Sequence, residues 1–449
     1  MLTIKRAKAL QGNFSLPPSP DLFLCAAFAA LAVSRSITIA SLRATPLLTR
    51  LSALLAGFFN ISWNGNNCSL SICQSDRPEA FHFDDDQLPY RDLVIFFALS
   101  THIPVLFKRI TDKRLAFWQE QAKRIGYTLE SVQKGECRGL VLAGETVIGA
   151  DISRIEEQDI HAALGLFWGL RAKRSFQIDF TLSSPLRHLI QAFGYELDVK
   201  RDLGAAEKDP LIRRMKIQSH QRLSSQEQLF TITADFSKAL PEGPVAIDLP
   251  GDEVLLAGLL TAKSLLHKGS FVIDNAPLEP WAVPLLTLMR KMGSRPSLKE
   301  SRTTSFGACG IIAVQRFDLT GQKTDFATQP QYAFQLPAMA VLCSFAEGES
   351  LFRKFDDIRK SDPDTIRQLE ACLATMQVKF GDIPDGFVIK GRPEYDGFDL
   401  IEPLGAHIAG AFAIAGLCCV GSTTIHDEAI LERWPEFNGM IEKYFEFRV

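Results

Sequence analysis

The chain has 449 residues, more than the roughly 250–300 at which a single hydrophobic core stops growing, so two domains are expected. Its composition is that of a globular protein, 46% apolar and 22% charged, and a formal net charge of −3 leaves no clustered cationic face for nucleic acid to neutralise. The longest apolar run, Leu22 to Val33, is about twelve residues against the roughly twenty of a membrane span, and it lacks the flanks of a signal peptide. The sequence therefore predicts a cytoplasmic protein with neither membrane nor nucleic acid as partner.

In chain order, the first predicted helix covers Cys25 to Val33, and the β-branched run Ser36-Ile37-Thr38-Ile39 follows it as a strand. Leu47, Leu51 and Leu54 then form a helical stripe that stops at Gly57, because apolar residues three and four apart share one face. Ile61-Ser62-Trp63, the turn Asn64-Gly65 and Cys68 to Ile72 read as a hairpin. The same order returns with Asp92 to Leu99, Pro104 to Phe107 and the stripe Trp118, Ala122, Ile125, and again with Ile160 to Leu170, Ser175 to Ile178 and Leu186, Leu189, Phe193. A fourth copy is the clearest: helix Leu255 to Leu266, turn Gly269-Ser270, strand Phe271 to Ile273, then Leu285, Leu288 and Met292 before Gly293. Glycine there supplies the left-handed conformation that ends a helix at little steric cost. The fifth runs Pro337 to Phe345, Gly348 to Phe352, and Leu369, Leu373, Met376; the sixth runs Ile408 to Leu417, Gly421 to Ile425, and Phe437, Met440, Tyr444.

Repetition roughly every 70–95 residues is too long for an ordinary solenoid and suits a block of two helices and several strands that cannot bury both faces alone. The widest gap, from Gly204 to Asp252, separates three units from three. Nine cysteines are scattered without C-x-x-C spacing, and the histidines are isolated. Buried reduced thiols are expected, with no metal and no cofactor.

Several stretches resemble the enolpyruvate transferases, EPSP synthase in particular. Leu16-Pro17-Pro18-Ser19 before an alanine-rich helix resembles that family's L-P-G-S-K-S opening, and Pro250-Gly251-Asp252 resembles the P-G-D that starts its second domain. Ile408 to Leu417 is similar to the stretch after its D-H-R motif, and Ser183-Ser184-Pro185 to its S-x-P turn. The resemblance is strongest after Pro250 and weakest between about Asn64 and Asp151. It implies an α/β (α+β) fold of two domains, each of three βαβαββ units around a pseudo-threefold axis, an inside-out α/β barrel. Residues 15–238 would form the first domain, and residues 1–14 with 239–449 the second.

The family reaction moves an enolpyruvyl group from phosphoenolpyruvate to shikimate 3-phosphate, a step of aromatic amino acid biosynthesis. Its substrates together carry about −4 to −5 near neutral pH, so the site must converge Lys and Arg, beside groups that move protons. Carried over position by position, the opening Lys falls on Pro20, the following Ser on Asp21 and the Arg on Cys25. Asp21 reads as a helix cap. The glycine-bearing loop falls on 88–92, just after Asp84-Asp85-Asp86, and contains no Gly. The R-P element falls on Lys113-Arg114, and the S-S-Q motif on Glu156-Glu157-Gln158. The catalytic Asp falls on Phe334, K-E-S-D-R on Ser361 to Thr365, D-H-R on Gly405-Ala406-His407, and the late Lys on Glu432.

The candidates that remain are Lys113, Arg114, Gln158 and Ser183 for binding, with Asp364 and His407 for proton transfer. A wet helix start competes for Lys113 and Arg114, a capping role for Ser183, and a structural role for His407. Two functional expectations stand. One is a catalytically silent or repurposed EPSP-synthase-like protein that holds a less anionic small molecule in the cleft between its domains, or a protein partner. The other is a working enolpyruvyl transferase whose charges have moved to Lys113, Arg114, Arg154, Arg359, Lys360 and Arg433.

Overall fold

The computed structural model describes residues 1–73, 79–83, 94–95, 98–99, 101–124, 127–143, 176–181, 186–201, 229–234, 243–266, 268–279, 282–315, 317–325, 334–355, 359 and 363–447. The chain divides into two compact units: Met1–Pro20, Ser41–Leu51 and Leu249–Val449 form one, Asp21–Ala40 and Ser52–Asp248 the other.

In the unit that holds the second half of the chain, three helices form the centre: Glu253–Leu265, Leu336–Ser344 and Ala406–Cys418. Each is mostly apolar and buried on nearly every side, and the three pack on one another. Their polar residues bond inwards. Ser264 and Ser344 hydroxyls donate to carbonyls one turn back, Leu260 O at 2.7 Å and Ala340 O at 2.8 Å. The companion helices Pro284–Lys291, Pro363–Thr375 and Phe437–Tyr444 each bury one stripe, which places Leu285, Leu288, Leu369, Leu373 and Met440 in the core. Truncating such a leucine to alanine costs about 2–5 kcal/mol, the lost transfer energy plus the cavity left behind.

One sheet pattern repeats here. A short strand lies parallel to a central strand, which pairs antiparallel with its next neighbour. Gly12–Ser15 lies beside Phe271–Pro277, followed by Gly307–Ala313 and Ser297–Thr304. Lys323–Asp325 lies beside Glu349–Arg353, followed by Gly386–Lys390 and Lys379–Ile383. In the third sheet Asp399–Leu400 lies beside Ser422–Ile425, and the antiparallel neighbour is Leu2–Lys5 from the start of the chain, with Leu2 opposite Ile425. The sixth repeat is thus completed by the first strand. Ala7–Leu10 pairs with Phe445–Phe447, so both chain ends are held in the same unit.

The other unit carries the pattern twice more: Val245–Ile247, Ile37–Ile39, Asn67–Ile72, Phe59–Asn64, and Phe81–Phe83, Val105–Phe107, Cys137–Leu142, Leu129–Lys134. A third sheet orders Phe176–Thr181, Leu229–Ala234 and Leu197–Arg201, all antiparallel. The expected hairpin turns at Gly65, whose φ of 61° glycine adopts freely. The first helix, Pro20–Ala32, starts earlier than the sequence suggested. Pro20 opens it, as its fixed φ and missing N–H allow, so Asp21 lies inside the first turn and the preceding residue is Ser19. That corrects Asp21 as the cap; it is an acidic residue of the first turn, where the helix dipole favours negative charge. The expected helix Ile160 to Leu170 and the acidic run Asp84 to Asp86 lie outside the described residues.

Candidate functional site

Pro250-Gly251-Asp252 leads into the helix Glu253–Leu265. Gly251 is required by close approach, since a Cβ there would meet Asn275 O at 2.4 Å and Leu16 Cβ at 2.5 Å. Asp252 is fully buried and is the helix N-cap: its Oδ1 accepts from the backbone N–H groups of Val254 at 2.9 Å and Leu255 at 3.0 Å. Its Oδ2 accepts from Arg433 Nε at 3.0 Å and from the indole Nε1 of Trp434 at 2.9 Å. One carboxylate therefore satisfies two backbone donors, a guanidinium and an indole. Arg433 is 7% exposed, and its guanidinium carbon stands 5.4 Å from the Trp434 ring centre. A buried arginine needs such a partner, because an unpaired charge there costs several kcal/mol. Its neighbour Glu432 turns to the surface and meets Arg50 NH1 at 3.0 Å, both side chains being exposed, a contact that contributes little.

Beside this network lies a crevice with Val254, Phe334, Ile414, Trp434 and Phe437 among its walls and His407 as a polar member. It offers no more room than about one water molecule needs. Gly258 and Gly410 lie on it. A Cβ at Gly410 would come within 2.7 Å of Trp434 Cζ3, so the glycine makes space for the indole. Phe334 is buried where the resemblance places the catalytic Asp. The next residue, Gln335, donates from Nε2 to Ala282 O at 2.6 Å and accepts from Leu285 N at 3.3 Å, which ties two helix starts together.

His407 is the second residue of the helix Ala406–Cys418, after a Gly405 that caps with no side chain. Its Nε2 lies 3.5 Å from the hydroxyl of buried Thr365, in the helix Pro363–Thr375. The resemblance puts the arginine of K-E-S-D-R on Thr365 and that of D-H-R on His407. The structure brings both positions together, where they contact each other. Asp427 holds the approach to His407, accepting from the N–H of Leu404 and from that of Ala429 at 2.7 Å. Asp364 is the residue before Thr365 in that helix.

Arg359 donates to Asp382 Oδ1 at 2.5 Å and to Gly386 O at 2.8 Å, on the hairpin that contains Lys379–Ile383 and Gly386–Lys390. Nearby, burial pushes the Glu370 carboxyl above its usual range, Asp382 adds to the rise, and Arg359 opposes it.

In the other unit, Thr111 caps the helix Asp112–Arg124, its hydroxyl accepting from Arg114 N at 3.3 Å. Lys113 is exposed, while Arg114 is 3% exposed with its guanidinium carbon 6.0 Å from the Trp118 ring centre. Arg114 is thus packed on an aromatic face rather than forming part of a wet helix start. Gln158, Ser183, Arg154, Lys360 and the loop 88–92 lie outside the described residues. Among the described residues no group of three or more His, Cys, Asp or Glu could hold a metal ion, and no helix is long and apolar enough to cross a membrane.

Sequence reasoning missed the hub at Asp252. The signal was present, an aspartate directly before an apolar helix, but its second pair of donors comes from 181 and 182 residues away and leaves no local trace. Gln335 and Trp434 were missed for the same reason.

Comparison with known proteins bears on both the fold and these positions. The family model for EPSP synthase (3-phosphoshikimate 1-carboxyvinyltransferase) matches residues 224–441. The 3-phosphoshikimate 1-carboxyvinyltransferase of Acaryochloris marina is 29% identical over 200 residues, 44% of this chain and 45% of that protein. That of Syntrophomonas wolfei is 29% identical over 191 residues, 42% of this chain and 45% of that protein. In each case the match spans about half of the relative's length. Over whole chains the likeness is one of fold. The enolpyruvyl transferase NikO from Streptomyces tendae superposes with a TM-score of 0.66 at 13% identity, covering 99% of this chain and 98% of that one. An EPSP synthase from Acinetobacter baumannii superposes at 0.63 and 13%, with the same coverage.

Proposed function

We propose that the chain, whose residues 224–441 match the EPSP synthase family model and which has the fold of an enolpyruvyl transferase along its whole length, keeps that scaffold without the family's ordinary reaction. The single observation that carries this is the engagement of Arg433. The guanidinium nearest the expected late cation is buried on Asp252, and freeing it for a ligand would leave a buried carboxylate short of its charge partner. Arg359 is likewise held by Asp382. Phe334 cannot move a proton, and Thr365 and His407 touch each other at two positions where the resemblance places arginines. A charge-assisted hydrogen bond to phosphate is worth roughly 1.5–3 kcal/mol, so several such losses remove most of the affinity for a polyanion.

On this reading the ligand is less anionic than phosphoenolpyruvate with shikimate 3-phosphate, or it is a protein partner. The protein works in the cytoplasm beside the shikimate pathway rather than as its carboxyvinyl transfer step. Phosphate release should stay at background with both substrates at millimolar concentration, next to a competent EPSP synthase as control. The melting temperature should not move when the two are added. Steady phosphate release from folded protein, or a shift of several degrees, overturns the proposal in favour of a working transferase with relocated charges.

A further inference from the structure

Asn275 lies in the strand Phe271–Pro277, where pairing with Gly307–Ala313 shifts between Ile273 and Ala276. Its φ is 58°, a left-handed conformation that asparagine tolerates better than most side chains. Each of its polar groups has a partner. The N–H donates to Asp274 Oδ1 at 2.7 Å and the C=O accepts from Gly251 N at 2.8 Å. The side-chain Nδ2 donates to Leu16 O at 2.9 Å. Oδ1 accepts from an Arg302 terminal nitrogen at 2.7 Å and from Cys309 Sγ at 3.3 Å, and the same Arg302 nitrogen reaches Leu249 O at 3.3 Å.

Of these residues, Leu16, Gly251 and, through Arg302, Leu249 belong to the two stretches where the chain leaves the unit at Pro20 and re-enters it at Leu249. The stretches also pair with each other: Pro18 and Gly251 form an antiparallel bridge, Ser19 N donates to Pro250 O at 3.0 Å, and Asp252 N donates to Pro17 O at 2.8 Å. One side chain thus bonds the outgoing stretch through its amide nitrogen, and through its amide oxygen it holds the arginine that bonds the incoming one. Aspartate would lack the donor, and glycine would keep the backbone but lose both contacts.

We propose that Asn275 is a conformational clamp: it sets the register of the outgoing and incoming passages, and neither can open locally until it lets go. Nothing in the functional reading above requires such a device, and the clamp stands whatever ligand the protein takes.

Hydrogen exchange read by mass spectrometry on the full chain tests it. In Asn275→Gly, which keeps the left-handed backbone, exchange at Leu16, Ser19, Gly251 and Asp252 should rise roughly ten- to thirtyfold, the worth of two side-chain hydrogen bonds. The helix Leu336–Ser344 and the strands Lys379–Ile383 and Gly386–Lys390 should keep wild-type rates. In Asn275→Asp, which retains the Arg302 contact and loses only the donor, the rise should be confined to Leu16 and Ser19. Should the glycine variant fail to fold, the aspartate variant decides alone. Wild-type exchange at the four amides, or a rise spread evenly over the whole unit, overturns the clamp.

Discussion

Replacing Asp252 with asparagine separates the two tasks of its carboxylate. The amide oxygen can still cap Val254 and Leu255, at 2.9 and 3.0 Å in the native protein, so the start of the helix survives. The amide nitrogen, however, must then face Arg433 Nε and Trp434 Nε1, which are both donors. A guanidinium whose side chain is 5% exposed loses its counter-charge, at about 3–5 kcal/mol, and a buried indole N–H is left unpaired at about 1–3 kcal/mol. Since neighbouring terms do not simply add, we expect Asp252→Asn to lose about 4–6 kcal/mol in urea unfolding followed by far-ultraviolet circular dichroism. That is a large share of the roughly 5–15 kcal/mol that holds a domain folded. Arg433→Met removes the charge and keeps the bulk, but it leaves the buried Asp252 carboxylate without its counter-charge, so it should cost about 3 kcal/mol. The double variant should recover at least about 2 kcal/mol of the Asp252→Asn loss. If the single and double variants are equally unstable, Arg433 does not depend on Asp252, and the case for its being withheld from ligands fails.

Two glycines on neighbouring helices should respond in opposite directions. A methyl at Gly258 would sit 3.5 Å from Ile414 Cγ1, an ordinary contact, and alanine restores about 1 kcal/mol of helix propensity, so Gly258→Ala should raise the melting temperature. Gly410→Ala must push against Trp434 Cζ3 from 2.7 Å and should cost about 1–3 kcal/mol; a shift of the same sign in both variants would refute this packing. At Asp385 the hydrogen bond from Arg353, Nε to Oδ2 at 2.7 Å, holds the carboxyl below its ordinary range. The folded state then binds fewer protons than the unfolded one, so the stabilisation is present above the unfolded value and disappears as pH falls through the folded one. The melting-temperature gap between wild type and Asp385→Asn should close between pH 5 and 2, as roughly expected for a depressed carboxylate; a constant gap would show that no charge is involved.

What could be read from the sequence was whatever repeats locally. The three central helices of the described second-half unit were visible because a mostly apolar helix has a compositional signature, and their companions because a stripe three and four residues apart has a period. Even the hairpin at Asn64-Gly65 followed from turn chemistry. The long-range closures left no such mark. Leu2–Lys5 completes a sheet with Ser422–Ile425, and nothing in the local pattern of either strand names the other. At the candidate site, the sequence could show that Phe334 and Thr365 had replaced charged groups in the resemblance, but not what had become of the remaining charges. Arg114 was a binding candidate with a wet helix start as its alternative, and it is buried against Trp118. Arg433 looked like a relocated ligand group, yet it serves Asp252.

That last pairing explains how such a scaffold can lose its cations without losing its fold. Cations aimed into an open binding site stabilise little when the ligand is gone, because each repels its neighbours and is paired only with water. Replacing them with Cys25 or Thr365, both now buried, exchanges repulsion for packing. The apolar layer of Glu253–Leu265, Leu336–Ser344 and Ala406–Cys418 depends on none of those positions' charges, so selection on folding alone can retain it. An arginine that remains in such an interior then needs a new carboxylate within reach. Arg433 has one, and Asp252 was already fixed in place by the two backbone donors it caps. On the proposed reading, folding and ligand capture rest on separable sets of residues, and the described core answers to the demands of the first alone.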